Sequence, residues 1–336
     1  MATPLGVLSF GFQVSGSADI QNSKLETQNP KKRLRIIPDG ALGYIPFDVL
    51  LTEDSDSWRG EKTPWVLQKM AVSYAYSNRL LNSETASTLS DDFGGFGISY
   101  DSKKFFFSEA EKKNEKITPL QHTVEEVSSI KSLLGGDNWL DEKATKKSFT
   151  SNAAHCGILH LAMHGFLDTK DPLNSGLIFS RENPNDTTNY LTGYDLYAAQ
   201  LKASLAVLSA CNTGDGQLRG REGVMSLARS FAFAGCESLV MSLWSVPDKT
   251  TSEIMVKFYE NLKAGMPKDV ALQQAKLFHL THAEPFRRVP NSWGAMVLIG
   301  NVEALTWRSW GHYGWFWGLI GVLIIAIGYF LMKNKK

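Results

Sequence analysis

A chain of 336 residues with 43% apolar content is long enough to bury a full core, as one large domain or two lobes. Its 35 basic and 34 acidic residues nearly cancel, which excludes the global basic field that draws nucleic acid. Three cysteines, Cys156, Cys211 and Cys236, are an odd number without paired spacing and argue against a disulfide framework; Cys156 and Cys236 adjoin apolar runs and read as core packing.

Residues 1–30 are polar with short apolar interruptions and define no clear element. Basic residues at 31–35 lead into a short strand, LRII, and Pro38-Asp39-Gly40 supplies a turn. The apolar stretch 41–51 carries Pro46 inside it and reads as a turn and a buried helical segment rather than one strand. A second strand at 71–75 precedes a helix around 77–81. Residues 91–116 mix Gly, Ser, Lys and Glu with aromatics and read as a surface insertion, with a strand at 105–107.

A helix enters at Thr123 and ends at Gly135-Gly136, and a lysine-rich amphipathic stretch at 141–152 reads as a solvated helix over the sheet. The runs 158–163 and 205–210 are apolar apart from His160 and Ser209, as strands of a parallel sheet covered on both faces are. A short strand falls at 174–179 and a helix capped by Thr192 at 192–199. Next come a helix at 222–234 stopped by Gly235, a buried strand at 238–244 and an amphipathic helix at 249–263. Pro267 opens a helix to about residue 280, and 293–300 is the last strand. About six strands alternating with helices predict an α/β fold, a three-layer α/β/α sandwich with a mostly parallel sheet and no internal repeat.

The C-terminus is the one break in composition. Residues 315–332, WFWGLIGVLIIAIGYFLM, hold no charge and are about long enough to span a bilayer as a helix. Aromatic residues crowd 304–314 and the start of the run like an interfacial belt, and a basic tail closes the chain at 333–336. The lysines favour the cytoplasm for the tail, which places the globular part outside. The first twenty residues are a poor secretory signal, so the chain as written reads as tail-anchored with its domain in the cytoplasm. The side of the membrane stays open.

The reactive residues stand where strands end. In open α/β sheets the working groups gather beyond the carboxyl ends of the strands, and His164-Gly165 follows one buried run while Cys211 follows the other. If those strands are neighbours, an imidazole and a thiol emerge side by side as base and nucleophile. Cys211 is followed by Asn-Thr-Gly, a turn that leaves its own N–H directed into the site, and Gly165 lets backbone approach a carbonyl because it has no Cβ. Those two N–H groups form an oxyanion hole. A lone cysteine after an apolar run is ordinarily core and a lone His-Gly ordinarily a turn; the joint pattern selects the catalytic reading. No metal or cofactor is expected. Cys156, His160 and His164 have a zinc-like spacing, but on a strand the two histidines stand about 13 Å apart, and His160 reads instead as a hydrogen-bonded core residue. A cysteine phosphatase needs Arg where Gln217 stands, and the glycines at 214, 216, 220 and 223 lack the Lys-Ser/Thr of a nucleotide loop.

HLAMHG (160–165), SACNTG (209–214), GREGVMSLARSFAFAGCESLVMSLWSVPD (220–248), NSWGAMVLIG (291–300) and LRIIPDGALGYIPFDVLL (34–51) together resemble the CHAT domain, a caspase- and separase-like family of cysteine proteases in clan CD. The resemblance places the domain at 31–303. It implies a His164–Cys211 dyad with the backbone N–H groups of Gly165 and Cys211 as the oxyanion hole. Ser209 stands where caspases carry the Gln that lines their acid-specific pocket, so strict aspartate specificity is not expected. The segment after the 238–244 strand would wall the substrate groove, with Trp244 packing on substrate and Asp248 meeting a basic P1 side chain; Asp248 reads equally as the N-cap of the 249–263 helix. CHAT domains commonly follow tetratricopeptide repeats, and none is present here, so a regulatory protein partner is expected, with loop 215–221 as the gate. The implied function is a membrane-anchored cysteine endopeptidase acting on a protein or peptide. The alternatives are a catalytically latent adaptor or scaffold at a membrane and a non-peptide hydrolase or acyltransferase.

Overall fold

The structure, a computed structural model, describes residues 32–38, 42–43, 45–55, 62–76, 92–101, 118–168, 170–183, 188–209 and 221–307. In chain order the first strands are β1 (Arg33–Ile36), β2 (Ala71–Tyr74), β3 (Phe93–Gly97), β4 (Asp137–Leu140) and β5 (Ile158–Ala162). They are followed by β6 (Gly165–Phe166), β7 (Gly176–Ile178), β8 (Tyr190–Thr192), β9 (Leu205–Leu208), β10 (Ser238–Ser242) and β11 (Met296–Gly300). The helices are α1 (Val66–Lys69), α2 (Thr123–Leu134), α3 (Lys146–Asn152), α4 (Gly193–Tyr197), α5 (Arg221–Phe233), α6 (Asp248–Lys263), α7 (Lys268–His282) and α8 (Pro290–Trp293).

The main sheet has the order β1-β2-β11-β10-β9-β5-β3-β4, parallel throughout except for the β10–β11 pair. At its centre β5 and β9 run side by side, Ile158 opposite Leu205 and Leu161 opposite Leu208, every residue buried. Alternation along β5 divides the two faces. His160 turns to Glu126 of α2 and Tyr259 of α6, while Leu159 and Leu161 join the apolar cluster with Phe149 of α3 and Phe231 of α5. Helices therefore cover both faces, and the three-layer expectation holds. Behind the β2–β11 side, Lys276 of α7 is fully buried, pairing with Asp48 and donating to the Met296 carbonyl.

The sheet has eight strands rather than about six, and β3 is the instructive correction. Its sequence FGGFG fell inside the stretch read as a surface insertion, because glycines give no apolar period to detect. They are there for packing: a Cβ on Gly94 would collide with the Cys156 sulfur, and one on Gly95 with Val127 of α2. β4 follows the Gly135-Gly136 turn, whose φ values of 86° and 78° only glycine adopts freely. The strand expected at 174–179 is β7, which belongs not to the main sheet but to a small antiparallel one, β6-β7-β8. The stretch 141–152 splits into a 3-10 turn and α3, with Thr145 and Ser148 forming a capping box. The stretch 293–300 divides likewise between the end of α8 and β11.

Met1–Leu305 and Thr306–Lys336 form two separate units. The apolar run 315–332, the helix expected around 77–81, the strand at 105–107 and Cys211 with residues 215–220 of the gate lie outside the described residues. Among the described residues no helix is long and apolar enough to cross a membrane.

Candidate active site

His164 follows β5 by two residues and is 2% exposed. Its backbone N–H donates to the Tyr100 hydroxyl at 3.0 Å, and that hydroxyl donates to the Ile178 carbonyl. The His164 carbonyl accepts directly from the Ile178 N–H at 2.9 Å. Tyr100 thus inserts its hydroxyl into what would be the second rung between positions 164 and 178, and its ring lies 4.5 Å from the imidazole, centroid to centroid. The backbone of Tyr100 sits in the left-handed region, φ 51°, a costly conformation for an aromatic residue.

The imidazole Nε2 lies 2.7 Å from the Thr118 carbonyl oxygen. A carbonyl only accepts, so Nε2 carries the proton and Nδ1 of the neutral ring keeps its lone pair. Burial lowers the His164 pKa below its ordinary 6.5, against smaller upward pulls from the Thr118 carbonyl and the Asp248 charge. The ring is therefore neutral at pH 7, a base with its acceptor nitrogen available.

Because His164 and Ile178 form the hydrogen-bonded pair, the next pair, Gly165 and Leu177, is the non-bonded one, which turns the Gly165 N–H away from β7. Ser209, the last described residue before Cys211, donates its hydroxyl to Glu126 Oε1, and its N–H donates to the Leu161 carbonyl. The last paired residues of β5 and β9 are Leu161 and Leu208, and His164 and Cys211 each stand three positions further along the chain.

Glu126 also accepts from His160 Nε2 at 2.8 Å, and His160 Nδ1 meets the Tyr259 hydroxyl at 3.1 Å. Burial and the Glu126 charge push the Tyr259 phenol well above its ordinary pKa, so it stays protonated and donates. This buried chain joins β5, β9, α2 and α6. It places His160 in the core with two partners, as the sequence reading held, while Cys156 and His164 turn to other groups. Cys156 and Cys236 are free, buried thiols, raised by burial to about 11 and about 12.

A cavity of about 440 Å³ opens beside Thr118, lined also by Leu120, Ser209, Ser242, Val246 and Asp248. Asp248 is not the N-cap of α6: that position is Pro247, and Asp248 is the first helical residue. Its Oδ2 accepts from the N–H groups of Gln121 and His122, at 2.6 and 3.1 Å, and its Oδ1 from that of Lys249. Residues 118–122 are therefore tied at one end to the imidazole and at the other to the start of α6. Trp244 is partly buried, with its indole N–H donated to the Asn291 carbonyl.

Tyr100, Thr118, Glu126 and Ser242 were not singled out from the sequence. Glu126 carried a signal, an acid on the face of α2 that also buries Thr123, Val127 and Ile130. A fully buried histidine likewise demands partners. Nothing in the sequence marks Thr118, whose contribution is a backbone carbonyl.

A mostly parallel sheet between helical layers, with a neutral histidine just past the carboxyl end of a central strand, defines a three-layer α/β protein. Residues 15–301 match the CHAT domain family, and the chain belongs to that family. Over 111 residues it is 28% identical to tetratricopeptide repeat protein 28 of Mus musculus and 29% identical to that of Homo sapiens. The match covers 33% of this chain but spans only 4% of the length of those curated relatives. Among solved structures, the Saccharomyces cerevisiae separase–securin complex matches at TM-score 0.48 and 11% identity, over 81% of this chain and 16% of that one. The arginine-specific cysteine proteinase gingipain R matches at TM-score 0.42 and 9% identity, over 71% of this chain and 56% of that one.

Proposed function

We propose that the chain is a cysteine endopeptidase in which His164 and Cys211 form the dyad. The observation that carries this reading is the parallel register of β5 and β9, from which both residues follow at the same offset. Thr118 supports it by holding Nε2, which leaves Nδ1 to take the thiol proton. The thiolate of Cys211 then attacks the peptide carbonyl, and the N–H groups of Gly165 and Cys211 receive the oxyanion. His164 returns its proton to the leaving amine, and water hydrolyses the thioester, regenerating the thiol. Ser209, Trp244 and Asp248 belong to the substrate side of the site in this reading. A protein partner controls access through loop 215–221, and residues 315–332 anchor the domain to a membrane.

Cys211→Ala and His164→Ala should each abolish cleavage of a peptide library while thermal unfolding still shows a cooperative transition. Activity surviving either substitution would break the dyad. An electrophilic peptide probe should label Cys211; failure to label it with every candidate activator present would favour the latent adaptor. Resistance of the full chain to alkaline extraction from membranes tests the anchor.

A further inference from the structure

The imidazole Nε2 of His164 is held by the Thr118 carbonyl, and Thr118 precedes Pro119. Proline fixes its own φ and disfavours helical backbone in the residue before it, so the carbonyl turns mainly with the span behind it. That span has three anchors. The Leu120 N–H donates to the Ser99 carbonyl at 2.7 Å, and the Thr123 hydroxyl donates to the Ile98 carbonyl at 2.8 Å. Both tie the span to the end of β3. The third is Asp248 Oδ2, which takes the Gln121 and His122 N–H groups and ties the span to α6.

Helix α2 offers no substitute. Its N-cap, His122, makes no side-chain capping bond. Glu125 stands where the acid of a capping box would reach back to the His122 N–H, but it is 78% exposed and faces the His122 imidazole at 3.8 Å. Asp248 does this work from 126 residues away. We propose that Asp248 is a positioning residue: through backbone rather than by contact, it fixes the Thr118 carbonyl and with it the Nε2–H tautomer that leaves Nδ1 to accept a proton. Positioning needs an acceptor oxygen at 248, whereas recognition of a basic substrate needs the charge. The consequence for turnover rests on the peptidase reading, and the consequence for the tautomer does not.

Nitrogen NMR of the histidine-labelled full chain reads the tautomer directly, with His164→Gln assigning the signals. The parent and Asp248→Asn, whose amide oxygen still accepts, should show the Nε2–H form, while Asp248→Ala should show a mixture with Nδ1–H. Thermal unfolding confirms that each variant is folded. Turnover of fluorogenic peptides with Arg or Ala before the scissile bond is measured at a pH where the imidazole is neutral in every variant. Asp248→Ala should lower kcat about tenfold for both peptides, and Asp248→Asn should restore most of it for the Ala peptide. An unchanged tautomer in Asp248→Ala, an Asn variant as mixed as the Ala variant, or a loss confined to KM of the Arg peptide would overturn the inference. If no chain cleaves either peptide, the peptidase reading falls and the tautomer alone decides the role of Asp248.

Discussion

Replacing Glu126 tests whether the buried chain behind the site holds it together. Glu126 is 1% exposed, and its Oε1 accepts from both His160 and Ser209, themselves 0% and 1% exposed. Glu126→Ala leaves those two donors without an acceptor, each costing about 1–3 kcal/mol. Removing the desolvated carboxylate returns part of this, so the net loss should be about 3–5 kcal/mol, the usual range for breaking a buried pair. Glu126→Gln retains an acceptor oxygen and should lose only about 1–2 kcal/mol. Urea unfolding followed by circular dichroism measures both, and a double-mutant cycle with His160→Ala isolates the pair. Coupling between Glu126 and His160 should exceed about 1 kcal/mol. A cycle that closes at zero, or a Glu126→Ala protein as stable as the parent, would refute the reasoning. Because His160 and Ser209 lie a few residues before His164 and Cys211, activity in Glu126→Gln should fall chiefly in kcat.

Three other outcomes follow from the same geometry. The acid limb of kcat/KM should lie below pH 6.5, since burial disfavours the His164 imidazolium, and Asp248→Asn should move it lower still by deleting the charge that favours protonation. The sign for stability is the same: a depressed histidine pKa costs nothing above the unfolded value and destabilises the fold as pH falls below it, which acid titration of the melting temperature in parent and His164→Gln would show. Iodoacetamide at neutral pH should modify neither Cys156 nor Cys236 in the folded protein, because thiols at about 11 and about 12 remain protonated; mass spectrometry finding either alkylated would contradict their burial. Tyr100→Phe removes the hydroxyl between His164 and Ile178 and should cost about 1–3 kcal/mol in stability, with kcat falling more than KM rises. Unchanged kcat would show that the inserted hydroxyl does not hold the ring.

What could be read in the sequence was what leaves a side-chain period. The runs that became β5, β9 and β10 announced themselves as largely apolar stretches, and Thr192 and Gly235 fixed helix ends where the structure has them. β3 was missed because its glycines encode closeness to Cys156 and Val127, which only the tertiary neighbours reveal. The site divides along the same line. His164 was visible through its position after a strand, but its tautomer is set by the Thr118 backbone, 46 residues away in the chain. Asp248 was legible as a helix-entry residue, yet only one of its three partners, the Lys249 N–H, belongs to its own helix, and the other two, Gln121 and His122, come from the segment before α2. Local chemistry predicted that it would accept backbone N–H groups, and topology decided which ones.

The short span 118–122 grips the imidazole by one carbonyl and the beginning of α6 by two amides. The rim of the cavity on that side and the aim of the proton acceptor consequently move as one lever. A guest too bulky for the space beside Leu120 would push the rim outward and swing Nδ1 off its line. In the proposed peptidase, size and chemistry would then be screened by a single displacement, with an ill-fitting occupant disarming the base that would have acted on it.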